Sequence, residues 1–174
     1  MKEVGKYMKN IFLIGFMGSG KSTIAARLSE KLGVPKVEMD ELIVRERSMP
    51  ITEIFEKYGE AYFRDIETEL VYRLQTREGV VVSCGGGTVL RDENRKMMKA
   101  SGVIVWLTAE PETILERVKH STDRPVLNGR MNVEYIAELM ERRRACYEAA
   151  ADFMVSTDGK ERDIICAEIL TLVQ

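Results

Sequence analysis

Gly15, Gly20, Lys21 and Ser22 stand in "GFMGSGKST", four residues separating the two glycines, directly after the apolar run "IFLI". Glycines in such a loop free backbone N–H groups to wrap phosphate oxygens, and a helix opening at Ser22 adds its partial positive charge. Read this way, Gly18, Ser19, Gly20, Lys21, Ser22 and Thr23 cradle nucleotide phosphates, with Lys21 reaching the β and γ groups. The Ser22 hydroxyl supplies an oxygen to Mg²⁺, a hard ion that prefers oxygen ligands. A glycine-rich turn with an exposed lysine is the bland alternative. The strand before the loop and the helix after it weigh against that alternative.

Carboxylates and arginines follow. In "VEMDE", strand alternation puts Glu38 and Asp40 on one side. One could fix water around the metal while the other accepts a proton from an attacking hydroxyl. Asp40 could equally cap a helix beginning at Glu41. Arg64 and Glu67 lie one helical turn apart, so a surface ion pair is the ordinary reading. Of Arg142, Arg143 and Arg144, two should be solvated and at most one functional. Arg124 sits beside a proline in "DRPVLNGR", where an arginine could neutralise a moving phosphoryl group. The same loop holds His120, the sole histidine, without an assigned role.

"VVSCGGGTV" carries three consecutive glycines, Gly85, Gly86 and Gly87, at the end of an apolar run. Either the chain makes a tight turn there, or something approaches the backbone more closely than a Cβ permits.

The elements that must position these groups alternate between strand and helix. Strands are expected at 11–14, 34–39, 80–83, 103–107 and 153–156. Helices are expected at 22–32, 41–47, 51–58, 60–77, 92–100, 111–118, 132–150 and 162–172. In the long helix Phe63, Ile66, Leu70 and Leu74 share one side. Residues 119–131 break every periodicity and read as a mobile loop. Continuous apolar strands alternating with helices imply an α/β fold, a parallel sheet covered on both faces. Ligands in such sheets bind beyond the carboxyl ends of the strands.

The chain has 174 residues, 45% hydrophobic and 31% charged, with a net charge of −2. That suits one domain spanning 1–174 and offers no basic footprint for nucleic acid or membrane. Three cysteines without a CxxC pair indicate reduced thiols and a cytoplasmic setting. "IFLIGFM" is too short for a span and runs into the glycine loop, so no signal peptide is expected. Residues 1–9 read as a frayed leader.

Taken in order, "GFMGSGKST", "EMDELI", "ITEIFEKYGEAYFRDIE", "SCGGGTV", "DRPVL" and "RRRACYEAAA" resemble the shikimate kinase family from about Ile11 to Leu172. The resemblance implies a three-layer P-loop kinase fold. It has a five-stranded parallel sheet, a substrate-binding helical segment at about 40–67 and a lid at about 119–131. It implies ATP and Mg²⁺, a monomer, and transfer of the γ-phosphate to the 3-hydroxyl of shikimate. On that basis Asp40 binds the reacting hydroxyl as base, and Arg64 and Arg143 clamp the shikimate carboxylate. Phe55 and Phe63 wall the ring, Glu67 orients the clamp, and the backbone of Gly85, Gly86 and Gly87 faces the acceptor. Ser83 and Glu38 hold the metal through water, Arg124 is the lid arginine, and Arg117 lies near adenine. The family usually has aspartate where this chain has Glu38, and often a proline where the loop here reads "STDGKERD". The rivals are a kinase for gluconate or a nucleoside monophosphate, and a nucleotide-binding switch without an acceptor.

Overall fold

A computed structural model describes residues 8–119 and 132–174. The expected lid, with Arg124 and His120, lies outside the described residues. Five parallel strands form one sheet in the order β2-β3-β1-β4-β5. They are β1 (Asn10–Ile14), β2 (Lys36–Glu38), β3 (Val81–Ser83), β4 (Gly102–Thr108) and β5 (Phe153–Ser156). The helices are α1 (Lys21–Leu32), α2 (Met39–Arg47), α3 (Ile51–Leu74), α4 (Asp92–Ser101), α5 (Pro111–Val118), α6 (Val133–Ala150) and α7 (Arg162–Val173).

Both faces of the central strand are buried, as a continuous apolar run requires. Phe12 and Ile14 of β1 join a core with Ile66, Leu70 and Leu74 of α3 and Met98 of α4. Ile11 and Leu13 point the other way, into Ile24 and Leu28 of α1 and Ile165 and Ile169 of α7. A third cluster, Phe16, Met17, Ile114, Val118, Ile136 and Leu139, anchors the flank of the glycine loop against α5 and α6.

The register aligns the strand ends that matter: Ser83 lies opposite both Leu13 and Glu38. β1 sits between β3 and β4, so the β1 loop opens at the reversal of strand order, where such sheets bind ligands.

Three element expectations need correction. The second strand ends at Glu38, and Met39 and Asp40 open α2. Met39 and Ile43 are both buried at helical spacing, so the helix takes residues the strand reading claimed. Glu38 and Asp40 therefore do not share a strand face. The helix expected to reach 77 ends at Leu74, where the Asn10 amide donates to the carbonyls of Leu74 and Arg77. The short 3₁₀ turn Thr88–Leu90 was not anticipated. The expected break between 51–58 and 60–77 is present as a kink at Gly59, whose φ of +83° suits glycine.

Candidate active site

The glycine loop takes its shape from backbone that side chains resist. Gly18 has φ +78° and Gly20 φ +98°. A Cβ on Gly18 would lie 2.7 Å from Val118. α1 begins directly after Gly20, so its first N–H groups face the loop. Lys21 folds over the loop, its Nζ donating to the carbonyls of Gly15 at 2.8 Å and Phe16 at 3.1 Å. That places a cation over the loop, beside the opening turn of α1, an arrangement suited to phosphate oxygens. Arg117 reaches the loop from α5, donating to Gly18 O at 2.9 Å and Thr157 Oγ1 at 3.2 Å.

The Ser22 hydroxyl donates to Glu38 Oε2 at 2.9 Å. The Glu38 side chain is 9% exposed, with Lys36 Nζ 3.5 Å from Oε1. Oε1 is buried and accepts no hydrogen bond among the described residues. Those residues hold no cluster of three His, Cys, Asp or Glu fit for a metal. Ser22 and Glu38 thus suit an ion that keeps its waters and takes its remaining oxygens from phosphate, which is how Mg²⁺ is usually held.

An open cavity of about 1160 Å³ runs from this loop past Glu38 and Asp40 to Cys84 and Gly86 on one side and Ile51 on the other. Asp40 occupies the first turn of α2. The N-cap is Glu38, which makes no side-chain capping bond. Asp40 is therefore not the cap, and a carboxylate in a first helical turn is favoured by the helix dipole.

Arg64 and Glu67 do not form the surface pair that spacing suggests. Both are buried, and Arg64 Nη1 donates to Glu67 Oε2 at 2.7 Å. Thr88 Oγ1 donates to the other oxygen at 3.1 Å, and Asn94 holds the Thr88 carbonyl at 2.9 Å. Arg64 Nη2 also donates to Glu60 at 3.1 Å. Burial pushes the Glu67 carboxyl up, Arg64 opposes the push, and nearby Asp40 adds to it. Burial opposes the charge on Arg64, but Glu67 and Glu60 outweigh it and raise its pKa further.

Of the arginine triplet, Arg142 and Arg144 are exposed and paired with glutamates of their own helix. Arg143 is buried and lies over the Phe16 ring, 5.8 Å from its centroid. Phe63 is buried beside half-buried Phe55, ring centroids 5.0 Å apart. Ser83 is buried at the end of β3.

None of Gly85, Gly86 and Gly87 has a positive φ. No turn geometry requires them; at Gly85 and Gly87 close approach does. A Cβ on Gly85 would lie 2.5 Å from Glu67 Oε1 and 3.0 Å from Asp40 Oδ1. A Cβ on Gly87 would collide with the Arg64 guanidinium. Glycine here lets charged side chains rest against backbone. Gly85→Ala is expected to lower stability by about 1–3 kcal/mol, as overpacking does. Thermal unfolding and denaturant midpoints check it; an unchanged midpoint refutes the packing argument.

Motif reading missed Thr88, Asn94, Glu60 and Tyr147. Tyr147 stands four residues after Arg143, a helical spacing that could have flagged it. Glu60, four residues before Arg64, carries the same signal. Thr88 and Asn94 carry none, because they meet Glu67 only through tertiary packing.

A family model described as shikimate kinase matches residues 17–174. The chain is similar to the shikimate kinase of Thermodesulfovibrio yellowstonii, 44% identical over 163 residues, 94% of each chain. Among solved structures it is similar to the shikimate kinase of Acinetobacter baumannii in complex with shikimate. That match has TM-score 0.91 and 32% identity over 95% of this chain and 93% of that one. It is also similar to the shikimate kinase of Aquifex aeolicus, with TM-score 0.81 and 40% identity over 94% of this chain and 95% of that one.

Proposed function

The chain belongs to the shikimate kinase family, and we propose how its residues divide that family's reaction. The enzyme transfers the γ-phosphate of ATP to the 3-hydroxyl of shikimate. One observation carries the assignment of the site. Two buried arginines and a buried glutamate converge on a glycine triplet at the far end of the cavity that opens over the phosphate loop. A nucleotide-binding switch has no need of such an acceptor pocket.

The phosphate-loop N–H groups, Lys21, Ser22 and Thr23 hold the ATP phosphates, and Arg117 with the Thr157 loop borders the base. Arg64 and Arg143 bind the shikimate carboxylate, since a planar guanidinium can engage it through two hydrogen bonds. Glu67 fixes Arg64. Phe55 and Phe63 face the ring, and the backbone of the glycine triplet meets its hydroxyls. Asp40 takes or orients the proton of the attacking hydroxyl. Ser22 would hold Mg²⁺ directly, with Glu38 and Ser83 on its waters. The bound ion would offset phosphate charge. Arg124, from the segment 119–131, completes the charge balance on the moving phosphoryl group. In-line transfer needs little covalent help from protein, so positioning and charge dominate. No helix among the described residues is long and apolar enough to cross a membrane.

The test is ADP release with Mg²⁺ and ATP, with shikimate, gluconate or nucleoside monophosphates as acceptor. Stimulation by shikimate alone is expected; stimulation by another acceptor instead overturns the assignment. Arg143→Ala is expected to raise the shikimate KM about 10- to 100-fold, the cost of a lost charged hydrogen bond, with the ATP KM held. An unchanged shikimate KM removes Arg143 from the clamp.

A further inference from the structure

Tyr147 lies on α6 one turn after Arg143 and is 2% exposed. Its ring stacks on Trp106 of β4, with centroids 5.4 Å apart and planes at 16°. Its hydroxyl donates to the carbonyl of Gly86 at 2.5 Å, the short end of the range for such bonds. Arg143 approaches the same hydroxyl, and its charge opposes the burial that pushes the phenol up to about 12. The hydroxyl therefore stays protonated and a donor at neutral pH.

Gly86 lies where the acceptor arginine and the phosphate loop meet. A Cβ there would lie 3.6 Å from Arg143 Nη1, 3.7 Å from the Met17 amide nitrogen and 3.8 Å from the Gly15 carbonyl. The first belongs to the acceptor arginine; the other two belong to the phosphate loop, and all three are at ordinary contact distance. The peptide is planar, so fixing the Gly86 carbonyl also fixes the direction of the Gly87 N–H. Glycine has no side chain to restrain its own backbone, so an outside anchor has the largest effect here.

We propose that Tyr147 is a positioning residue: its hydroxyl locks the Gly86 backbone between Arg143 and the phosphate loop, setting the acceptor clamp relative to the phosphoryl donor. This rests on the placement of shikimate's carboxylate at Arg143. The ring supplies rigidity through Trp106, and the hydroxyl supplies the lock. The role acts through Arg143 and Gly86.

Tyr147→Phe keeps the ring and removes the lock. The shikimate Kd, followed by emission of Trp106, the sole tryptophan, is expected to rise about tenfold or more. The ADP Kd should hold within about twofold, because the loop's phosphate donors are its own backbone. In an Arg143→Ala background the same change should add little, since the clamp it serves is already gone. Unchanged shikimate affinity in Tyr147→Phe, equal losses for shikimate and ADP, or full additivity with Arg143→Ala would each overturn the proposal. If Arg143→Ala alone leaves shikimate binding intact, the site assignment fails first. If it weakens binding and Tyr147→Phe does not, the positioning role alone fails. Should Tyr147→Phe not fold, 3-fluorotyrosine incorporation keeps both ring and hydroxyl. The ¹⁹F resonance of Tyr147 should then move on titration with shikimate, and a stationary resonance overturns the proposal.

Discussion

Asp40→Asn is expected to lower kcat by about 10²- to 10⁴-fold, the usual contribution of a positioned general base. Both substrates should bind much as before. Asparagine keeps the shape and the hydrogen-bonding reach of aspartate and loses the capacity to take a proton. Asp40 does not hold the phosphate loop, whose donors are backbone N–H groups and Lys21. Nor is it the cap of α2, which falls at Glu38. Losing one negative charge from a first helical turn costs about 0.3–1 kcal/mol. Asparagine keeps the side chain's shape, so the loss of turnover should far exceed the loss of stability. Steady-state kcat, the ADP Kd and the unfolding midpoint, measured together, check the assignment. Undiminished turnover rules Asp40 out as base. A collapse of ADP binding or of the midpoint would instead make it a structural residue.

What could be read before the fold was known divides along a physical line. The alternation of apolar runs and helical patterns gave the parallel sheet, because burial on both faces of β1 leaves a continuous signature in Ile11–Ile14. The phosphate loop was legible because its chemistry is local: glycines, Lys21 and Ser22 act within nine residues. Asp40 was harder. A strand and a helix compete for Met39 and Asp40, and the packing of Met39 and Ile43 decides for the helix. Spacing alone made Arg64 and Glu67 a surface pair. That the pair is buried depends on α3 packing beside the glycine triplet, which no local pattern encodes. The triplet itself posed its question in sequence and answered it in structure. Its φ values ask nothing of glycine; at Gly85 and Gly87 the neighbouring carboxylates and guanidinium do. Spacing from Arg143 could flag Tyr147, but not its bond to Gly86, which is 61 residues away.

Glu67 should respond most sharply to substitution and to pH. It is fully buried, between Arg64 and Thr88. Glu67→Ala is expected to lower stability by about 3 kcal/mol, the low end for breaking a buried pair, because Arg64 retains Glu60. Glu67→Gln still offers Arg64 an acceptor oxygen and should cost far less. The two variants thus split packing from charge. The pH dependence has two opposed parts. The folded pKa of Glu67 lies above the ordinary glutamate value of 4.5, with burial the main cause. In the window between those two values the folded state binds more protons than the unfolded chain. Stability from this group is therefore full below the ordinary value and falls as pH rises through the folded one. Acceptor binding runs the other way. Only the carboxylate form anchors Arg64 by charge, so shikimate affinity should weaken as pH falls through the raised pKa. Shikimate titrations upward from the ordinary glutamate value of 4.5 should show that limb in the native enzyme and lose it in Glu67→Gln. A limb that survives in Glu67→Gln would assign it to another group. Burial thus pulls against the ionised clamp, and the fold bears the cost of ionisation in stability.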